Sequence, residues 1–424
     1  GDPRPAPAWA KISGASQIRT ENPAMAAPVF FGLLTSPAGP GVRLAAATGL
    51  AKADAAGAVD QLLPLLKDPD PRVRAGVAAI LPSLPQSGPA LAAAWPALGP
   101  AERLVIVRAA AGVPEAGDVL RSALASEDMA IRCAAISALG ESGTSGVIGD
   151  LLPFLSAGSD DSAASLASLS RLQAPDAAEK LRAALAQARG PEKAALLAVA
   201  ANRLDGTVLA QALAATADPD PAIRSAGFRS AGILAGPEDL PAILALLPNL
   251  HAPADLAAWT KTLLAASKSS PDADRTADLL AAALDSAPSS ARPAFLLALA
   301  GLSSPRATAC LSAQLHSPDG ESRKAVIRIL ASVRNPSLQG LLLVAAREGS
   351  DPSERILALR GYLDGIKAQT DAAPEVLAKA YTDAWPLAER PEEKDAILAA
   401  LKALKGPAAK KAAESLEAPS GGNP

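Results

Sequence analysis

The sequence predicts an all-α protein made of about twelve helical hairpins in series, and three observations lead to this fold class. Hydrophobic residues make up 49% of the 424 residues, but aromatic residues only 3%. The apolar mass is therefore mainly alanine and leucine, which are strong helix formers. The 38 prolines fit an all-helical chain only in first turns and connections, which requires many short helices. The third observation is a motif that repeats about every 30 residues, the length of one hairpin.

The clearest copy of the motif runs from Leu65 to Leu84, with the sequence LLKDPDPRVRAGVAAILPSL. Asp70 is placed to cap a helix whose first residue is Pro71. From Val73 onward, apolar side chains recur at the spacing of one helix face, and a second apolar stripe lies upstream at 59–66. Two amphipathic helices joined by a short turn predict a hairpin.

Other segments repeat this pattern with decreasing clarity. The segment Thr216–Leu234 keeps the Asp-Pro-Asp-Pro turn, and the segment that begins at Ser126 keeps the Ile-Arg pair and the apolar stripe. Weaker starts of second helices follow near Gly41, Pro100, Ser162, Pro191, Pro253, Ala291, Gly320, Ser353 and Pro391. The whole range 21–417 is therefore interpreted as one repeat array.

The turn motifs carry a resemblance to a known family. The segments from Asp68 to Arg74 and from Asp218 to Arg224 resemble the consensus of HEAT repeats. This resemblance implies a right-handed α-α superhelix, and a ladder in which an aspartate and the arginine six residues on stack between neighbouring repeats. The ladder positions that it implies in this chain are Asp68, Arg74, Arg132, Asp218 and Arg224.

Two repeats depart from the ladder pattern. Ser126 takes the aspartate position before Arg132, and Ser317 takes it before Arg323, so an incomplete ladder is expected. Near the C-terminus, the stretch 354–363 and its counterpart 387–394 resemble repeats in exported bacterial multidomain proteins. That second resemblance implies a bacterial type of HEAT array.

The ends of the chain differ in composition from the array. Residues 1–20 contain three prolines and no clear apolar stripe, which predicts an extended leader, and 418–424 predict a disordered tail. The polar connection 267–274 is a candidate flex point. The chain begins without methionine and contains two cysteines; both features favour an exported or periplasmic location over the cytoplasm.

No pattern typical of an enzyme site is present in the sequence. It contains no G-x-S-x-G, C-x-x-C, H-E-x-x-H or Walker-type loop. Its two histidines, His251 and His316, lie about two hairpins apart, and the cysteines Cys133 and Cys310 are too distant for a disulfide. The Gly-rich stretch 140–146 is interpreted as an inter-helix turn. We therefore expect no catalytic residue, no cofactor and no metal site.

The candidate binding residues lie on the second helices, which a superhelix of hairpins places along its concave groove. Arginines further along these helices are expected to be exposed and to suit acidic peptides. Two aromatic residues there are candidate hot spots. The set comprises Arg108, Arg229, Arg328, Arg360, Trp259 and Tyr362.

These observations predict a non-catalytic scaffold that binds a protein or peptide partner. One alternative is an accessory or spacer domain of a larger exported bacterial enzyme. Another is a nucleic-acid-binding HEAT-like protein, which the formal net charge of −3 and the few aromatic residues disfavour. No apolar run is long enough for a membrane span. The charged last helix is an adequate cap for the array, so a monomer is expected.

Overall fold

The computed structural model describes residues 5–156, 158–250, 252–268, 270–333 and 335–417. In these residues the chain forms 26 α-helices, several of them extended by short 3-10 turns, and no β-strand. The first helix is α1 (Pro5–Glu21) and the last is α26 (Pro407–Glu417). Between them the described residues form twelve consecutive helix pairs. The predicted all-α class and the number of hairpins are therefore confirmed.

Each hairpin consists of a first helix and a second helix. The first six are α2 (Pro23–Leu34) with α3 (Pro40–Ala53), α4 (Ala58–Leu62) with α5 (Pro71–Ile80), α6 (Ser87–Ala94) with α7 (Pro100–Ala109), α8 (Gly117–Leu124) with α9 (Met129–Gly140), α10 (Val147–Leu151) with α11 (Asp160–Arg171), and α12 (Ala177–Gln187) with α13 (Gly190–Asn202). The other six are α14 (Leu209–Ala215) with α15 (Pro221–Leu234), α16 (Leu240–Leu244) with α17 (Pro253–Lys268), α18 (Ala273–Ser286) with α19 (Arg292–Gly301), α20 (Pro305–Leu315) with α21 (Gly320–Val333), α22 (Gln339–Glu348) with α23 (Pro352–Lys367), and α24 (Pro374–Ala384) with α25 (Pro391–Ala403).

The chain divides into two compact units, Gly1–Ser230 and Ala231–Pro424. In the first unit, second helices pack against second helices from α3 through α13. In the second unit the same holds for the series α17, α19, α21 and α23. Each unit thus has a layer of second helices, as expected where every hairpin contacts only its neighbours.

Local sequence explains where the second helices begin. Proline is the first residue of most of them. It lacks an N–H, but the N–H of a first helical residue has no acceptor within the helix, so no hydrogen bond is lost. An aspartate commonly precedes it as the cap: the side chain of Asp70 accepts a hydrogen bond of 2.8 Å from the amide of Arg72. Asp351 does the same with the amide of Ser353 at 2.9 Å. Each cap satisfies one of the amides that a helix start leaves unpaired.

The core consists mainly of leucine, alanine, valine and isoleucine, with few large side chains. Trp259, Phe30, Phe228 and Phe295 are the largest that are fully buried. Small residues let some second helices approach closely. A Cβ added to Gly361 on α23 would lie 2.5 Å from the Cβ of Ala331 on α21, so the packing of these helices requires the glycine.

The prediction of an extended leader is wrong for residues 5–20, which belong to helix α1. Pro5 and Pro7 lie in its first turn, where proline is tolerated. Ala15 is 1% exposed, and α1 packs on α2 and α3, so tertiary contact stabilises a helix whose sequence shows no clear apolar stripe. The predicted tail at 418–424 lies outside the described residues. At 267–274, α17 ends at Lys268 and α18 begins at Ala273, and the flex point stays a prediction.

Candidate partner-binding surface

An arginine at the fourth residue of a second helix clamps the turn that precedes the helix. Nη1 of Arg74 donates to the main-chain oxygens of Asp68 at 2.8 Å and Pro69 at 3.3 Å. Nη1 of Arg132 donates in the same way to the oxygen of Ser126 at 2.8 Å. The seven arginines at this position are Arg43, Arg74, Arg103, Arg132, Arg224, Arg323 and Arg355.

The serine positions do not interrupt this clamp. Nη1 of Arg323 donates to the main-chain oxygen of Ser317 at 2.7 Å, just as Arg224 donates to that of Asp218 at 3.1 Å. Because the acceptor is a carbonyl, the side chain at the aspartate position does not matter for it. The expected gap in the ladder is therefore absent from this part of the contact.

Several of these arginines also contact the next hairpin. Nε of Arg74 donates to Oε1 of Glu102 at 2.7 Å, across 28 residues of sequence. Nε of Arg132 donates to Oδ2 of Asp161 at 3.0 Å, across 29 residues. The hydrogen bond from Arg74 holds the pKa of Glu102 below its usual value. These acceptors lie near the start of the following second helix, and sequence reasoning missed them.

The carboxylates of Asp68 and Asp218 instead face the preceding hairpin. Nη1 of Arg43 donates to Oδ1 of Asp68 at 3.4 Å, and Nζ of Lys193 donates to Oδ2 of Asp218 at 2.8 Å. The hydrogen bond from Lys193 is the main cause of a lowered pKa at Asp218. The contacts thus run from hairpin to hairpin, with lysine in one of the basic positions.

A second set of cations occupies the ninth residue of second helices, and we call it the ninth-residue row. Its members are Arg108, Arg229, Lys261, Arg328 and Arg360, and all of them are exposed. Lys261 shares the register but was missed, because the sequence search considered only arginines. The other ninth residues are Thr48, Ala79, Ser137, Ser168, Ala198, Ala300 and Ala399, so no carboxylate stands at this position of a described second helix.

The row differs from the clamping arginines in its bonding. Within the described residues, the side chains of Arg108, Arg229, Lys261 and Arg328 make no hydrogen bond or ion pair. Arg360 has one ionic contact, 3.8 Å from its Nε to Oε1 of Glu393, which is longer than a hydrogen bond. Arginine in this chain therefore has two roles, set by its position in the helix.

Two of the row's members lie on neighbouring helices of the second unit. Arg328 is on α21 and Arg360 is on α23, and these two helices pack directly against each other. Neighbouring packed helices have axes about 8–10 Å apart. The two guanidinium groups can therefore bind carboxylates of one short segment.

The prediction that Trp259 and Tyr362 are exposed hot spots is wrong. Trp259 is 0% exposed, and its indole Nε1 donates to the oxygen of Ile243 at 2.8 Å while its ring tilts against Phe295. Tyr362 is 6% exposed, and burial, followed by the charge of Asp383, raises the pKa of its hydroxyl. Both side chains belong to the core between hairpins.

Both cysteines are free thiols and are half-buried. The pKa of Cys133 is raised to about 11, mainly by burial and then by its hydrogen bond to Asp161. His251 lies outside the described residues. No group of three or more His, Cys, Asp or Glu side chains in the described ranges could hold a metal ion. None of the helices described is long and apolar enough to cross a membrane.

Comparison with known proteins adds structural neighbours only. No family model and no curated protein matches the chain. A solved structure of Kap95p with RanGDP matches at 14% identity and a TM-score of 0.41, covering 92% of this chain and 61% of that one. Kap121p bound to the C-terminus of Cdc14p matches at 15% identity and a TM-score of 0.42, covering 93% of this chain and 49% of that one. Importin beta matches at 12% identity and a TM-score of 0.40, covering 95% of this chain and 64% of that one. The chain thus spans about half to two thirds of the length of these three proteins.

Proposed function

We propose that this protein is a non-catalytic scaffold that binds an acidic segment of a partner protein through the part of the ninth-residue row that lies in its second unit, Lys261, Arg328 and Arg360. The observation that carries the proposal is the contrast between two sets of cations on the same helices. The clamping arginines are hydrogen-bonded inside the array, whereas four of the five row members make no hydrogen bond or ion pair with the described residues. Cations that do not stabilise the fold remain available to a ligand.

The chemistry of the row favours carboxylate ligands. Arginine supplies four of its five members, and a guanidinium can bind a carboxylate through two parallel hydrogen bonds. No carboxylate stands at the same position of another second helix to compete for it. In the second unit the row occupies α17, α21 and α23 but not α19, so it suits a ligand whose acidic residues are spaced to match these three helices.

Charge reversal within the second unit tests the proposal. We expect Lys261→Glu/Arg328→Glu to lose at least tenfold in affinity for the partner, because each lost charged hydrogen bond contributes about 1.5–3 kcal/mol. The control Arg275→Glu/Arg347→Glu makes the same change in charge at exposed residues of the first helices α18 and α22. Its affinity should stay near that of the unmodified protein.

The measurement is affinity capture from an extract of the source cells, with mass spectrometry of retained proteins. An acidic protein retained by the unmodified chain and the control, but lost from Lys261→Glu/Arg328→Glu, supports the scaffold. Equal retention by both variants contradicts it. Retention that disappears after nuclease treatment would instead favour the nucleic-acid alternative, with binding that falls steeply as salt is raised.

A further inference from the structure

A trough lies between second helices α23 and α25 of the second unit, beside the end of the ninth-residue row. Its volume is about 640 Å³, which is within the usual range of ligand pockets, about 300–1,000 Å³. One wall consists of the alanines at 396, 399, 400 and 403 of α25, and the opposite wall includes Leu363 of α23. Tyr381 of α24 also lines it. The lining is mainly apolar, and its polar members are Asp364, Lys367, Gln369 and Thr370.

The sequence explains why this space is open. The four alanines recur at spacings of three, one and three residues, so they share one face of α25. Each of these four side chains ends at Cβ and leaves space towards α23, and Leu404 lines the trough at the end of the helix. Ala396, Ala399 and Ala403 are exposed. An apolar face of this kind is stabilised when a ligand removes it from water, by roughly 25 cal/mol per Å².

One cation of α23 lines the trough, and a second lies earlier on the same helix. Lys367 lines it and makes no ion pair with a described residue, while Arg360 lies seven residues earlier on the same helix. Seven residues rise about 10 Å along an α-helix. Asp364, which also lines the trough, lies between them in sequence. Positive charge thus stands at two points about two turns apart, with one negative charge between.

The position of Arg360 follows from a contact between hairpins that differs here from the other repeats. Glu393 is the third residue of α25, the position at which Glu102 and Glu354 accept from the clamping arginine of the preceding hairpin. Here that arginine, Arg355, donates to Glu389 instead at 3.1 Å. The side chain of Glu393 is 6% exposed, and its Oε1 has no hydrogen-bond partner among the described residues.

The charge of Glu393 therefore attracts Arg360 without bonding it. The guanidinium Nε lies 3.8 Å from Oε1 of Glu393, and the arginine side chain is 59% exposed. A buried carboxylate oxygen without a hydrogen-bond partner is stabilised by a nearby cation. Arg360 is thus kept beside the first turn of α25, one turn before Ala396, while its remaining N–H groups are free to bind a ligand.

We infer that the trough binds an amphipathic α-helix of a partner protein, with two carboxylates seven residues apart and aliphatic side chains between them. This inference rests on the proposed function and specifies its partner. In a helix, residues at i, i+3, i+4 and i+7 share one face. The carboxylates at i and i+7 meet Arg360 and Lys367, and the aliphatic residues at i+3 and i+4 enter the trough. Asp364 selects against a third acidic residue at the centre.

Helix-in-groove recognition explains these features better than an extended ligand does. An extended chain turns alternate side chains to opposite faces and covers about 10 Å with only three residues. It would place one or two side chains in a trough of about 640 Å³. A helix places a continuous apolar stripe there, the arrangement of known helix-binding grooves.

The test uses a fluorescent, end-blocked, alanine-based helical peptide that contains Glu-Ala-Ala-Leu-Leu-Ala-Ala-Glu, measured by anisotropy. A matched peptide carries lysine in place of both glutamates. We expect the Glu peptide to bind at least tenfold more tightly than the Lys peptide. Ala399→Trp, which fills the trough, should abolish binding. Ala79→Trp, at the exposed ninth residue of α5 in the first unit, should not change it.

Circular dichroism first shows that both tryptophan variants are folded. Equal binding of the two peptides, or full binding to Ala399→Trp, overturns the inference. An apolar dye that binds the unmodified chain but not Ala399→Trp, with no peptide binding, assigns the trough to a small apolar ligand and also overturns it. If the Glu peptide fails to bind the trough while the Lys261→Glu/Arg328→Glu variant still loses its captured partner, the proposed function stands and only the helical ligand of the trough is refuted.

Discussion

Replacing arginine by methionine is expected to destabilise the fold at the fourth residue of a second helix and to have little effect at the ninth. Arg132 of α9 and Arg108 of α7 lie on second helices that pack together. Arg132→Met removes the donors at 3.0 and 2.9 Å from Oδ2 of Asp161, whose side chain is 8% exposed. Arg108→Met removes an exposed side chain that makes no hydrogen bond or ion pair with the described residues.

The expected magnitude follows from the carboxylate that is left behind. Removing one partner of a buried ion pair costs about 3–5 kcal/mol. We expect about 3 kcal/mol for Arg132→Met, at the lower end, because Sγ of Cys133 still donates to Oδ1 of Asp161 at 3.3 Å. Arg108→Met should stay within about 0.5 kcal/mol, the usual range for an exposed site. Replacing both partners, in Arg132→Met/Asp161→Leu, should restore most of the loss.

Native-state hydrogen exchange is the suitable assay, because a repeat array need not unfold in one step. A loss of about 3 kcal/mol accelerates exchange of the amides in α9 and α11 by roughly a hundredfold. An acceleration below threefold for Arg132→Met would refute the reasoning. Equal effects of Arg132→Met and Arg108→Met would refute it too, since the two positions would then not differ.

Two further predictions follow from the pKa values. The pKa of Asp351 is lowered from 3.8 to about 2, mainly by the hydrogen bonds from Ser353 and then by Lys324. Its stabilising effect is therefore complete above pH 3.8 and is lost as the pH falls through about 2. Asp351→Asn keeps the cap, so the difference in Tm between it and the unmodified protein should shrink from pH 5 to pH 2; a constant difference contradicts this. Cys133, with a pKa of about 11, should react with iodoacetamide at pH 8 roughly a hundredfold more slowly than a thiol of pKa 9.0. Asp161→Asn should accelerate the reaction, and an unchanged rate would contradict the role of that carboxylate.

Local sequence was sufficient to predict the hairpins because each one is defined by short-range signals. The capping residue Asp70, the proline that follows it and an apolar stripe at helical spacing all lie within one turn motif. The register of the ninth-residue row also follows from these helix starts. These short-range signals do not identify the residue of the next hairpin that accepts a hydrogen bond from the arginine.

The ladder shows this limit clearly. The acceptors Glu102, Asp161 and Glu354 lie 28 to 31 residues after their arginines. Two of them follow a helix-starting proline by two residues, at Pro100 and Pro352. That Pro-x-Glu pattern could have identified both, although it also selects Glu393, which does not accept from Arg355. The fixed aspartate-to-arginine spacing could not, because the clamp uses a carbonyl and the ion pair uses another hairpin.

The aromatic residues were misplaced for a different reason. The second helices are so rich in alanine that their apolar stripe has little contrast with the opposite face. Periodicity then does not decide whether a tryptophan such as Trp259 faces the core or the solvent. The structure decides it through a hydrogen bond to Ile243, a contact with the first helix of the same hairpin. Helix α1 was not predicted for a related reason: it is stabilised by packing on α2 and α3 and not by a local apolar stripe.

The separation of the fourth and ninth residues has a consequence for how such a chain can evolve. The ninth residue can change between hairpins: it is arginine at Arg328 and Arg360 but alanine at Ala399 on three consecutive second helices. Such a change leaves the clamp five residues earlier intact. The ninth residue of each hairpin can then change independently of the fold. Duplication of a hairpin adds one more ninth residue and leaves the existing ones unchanged.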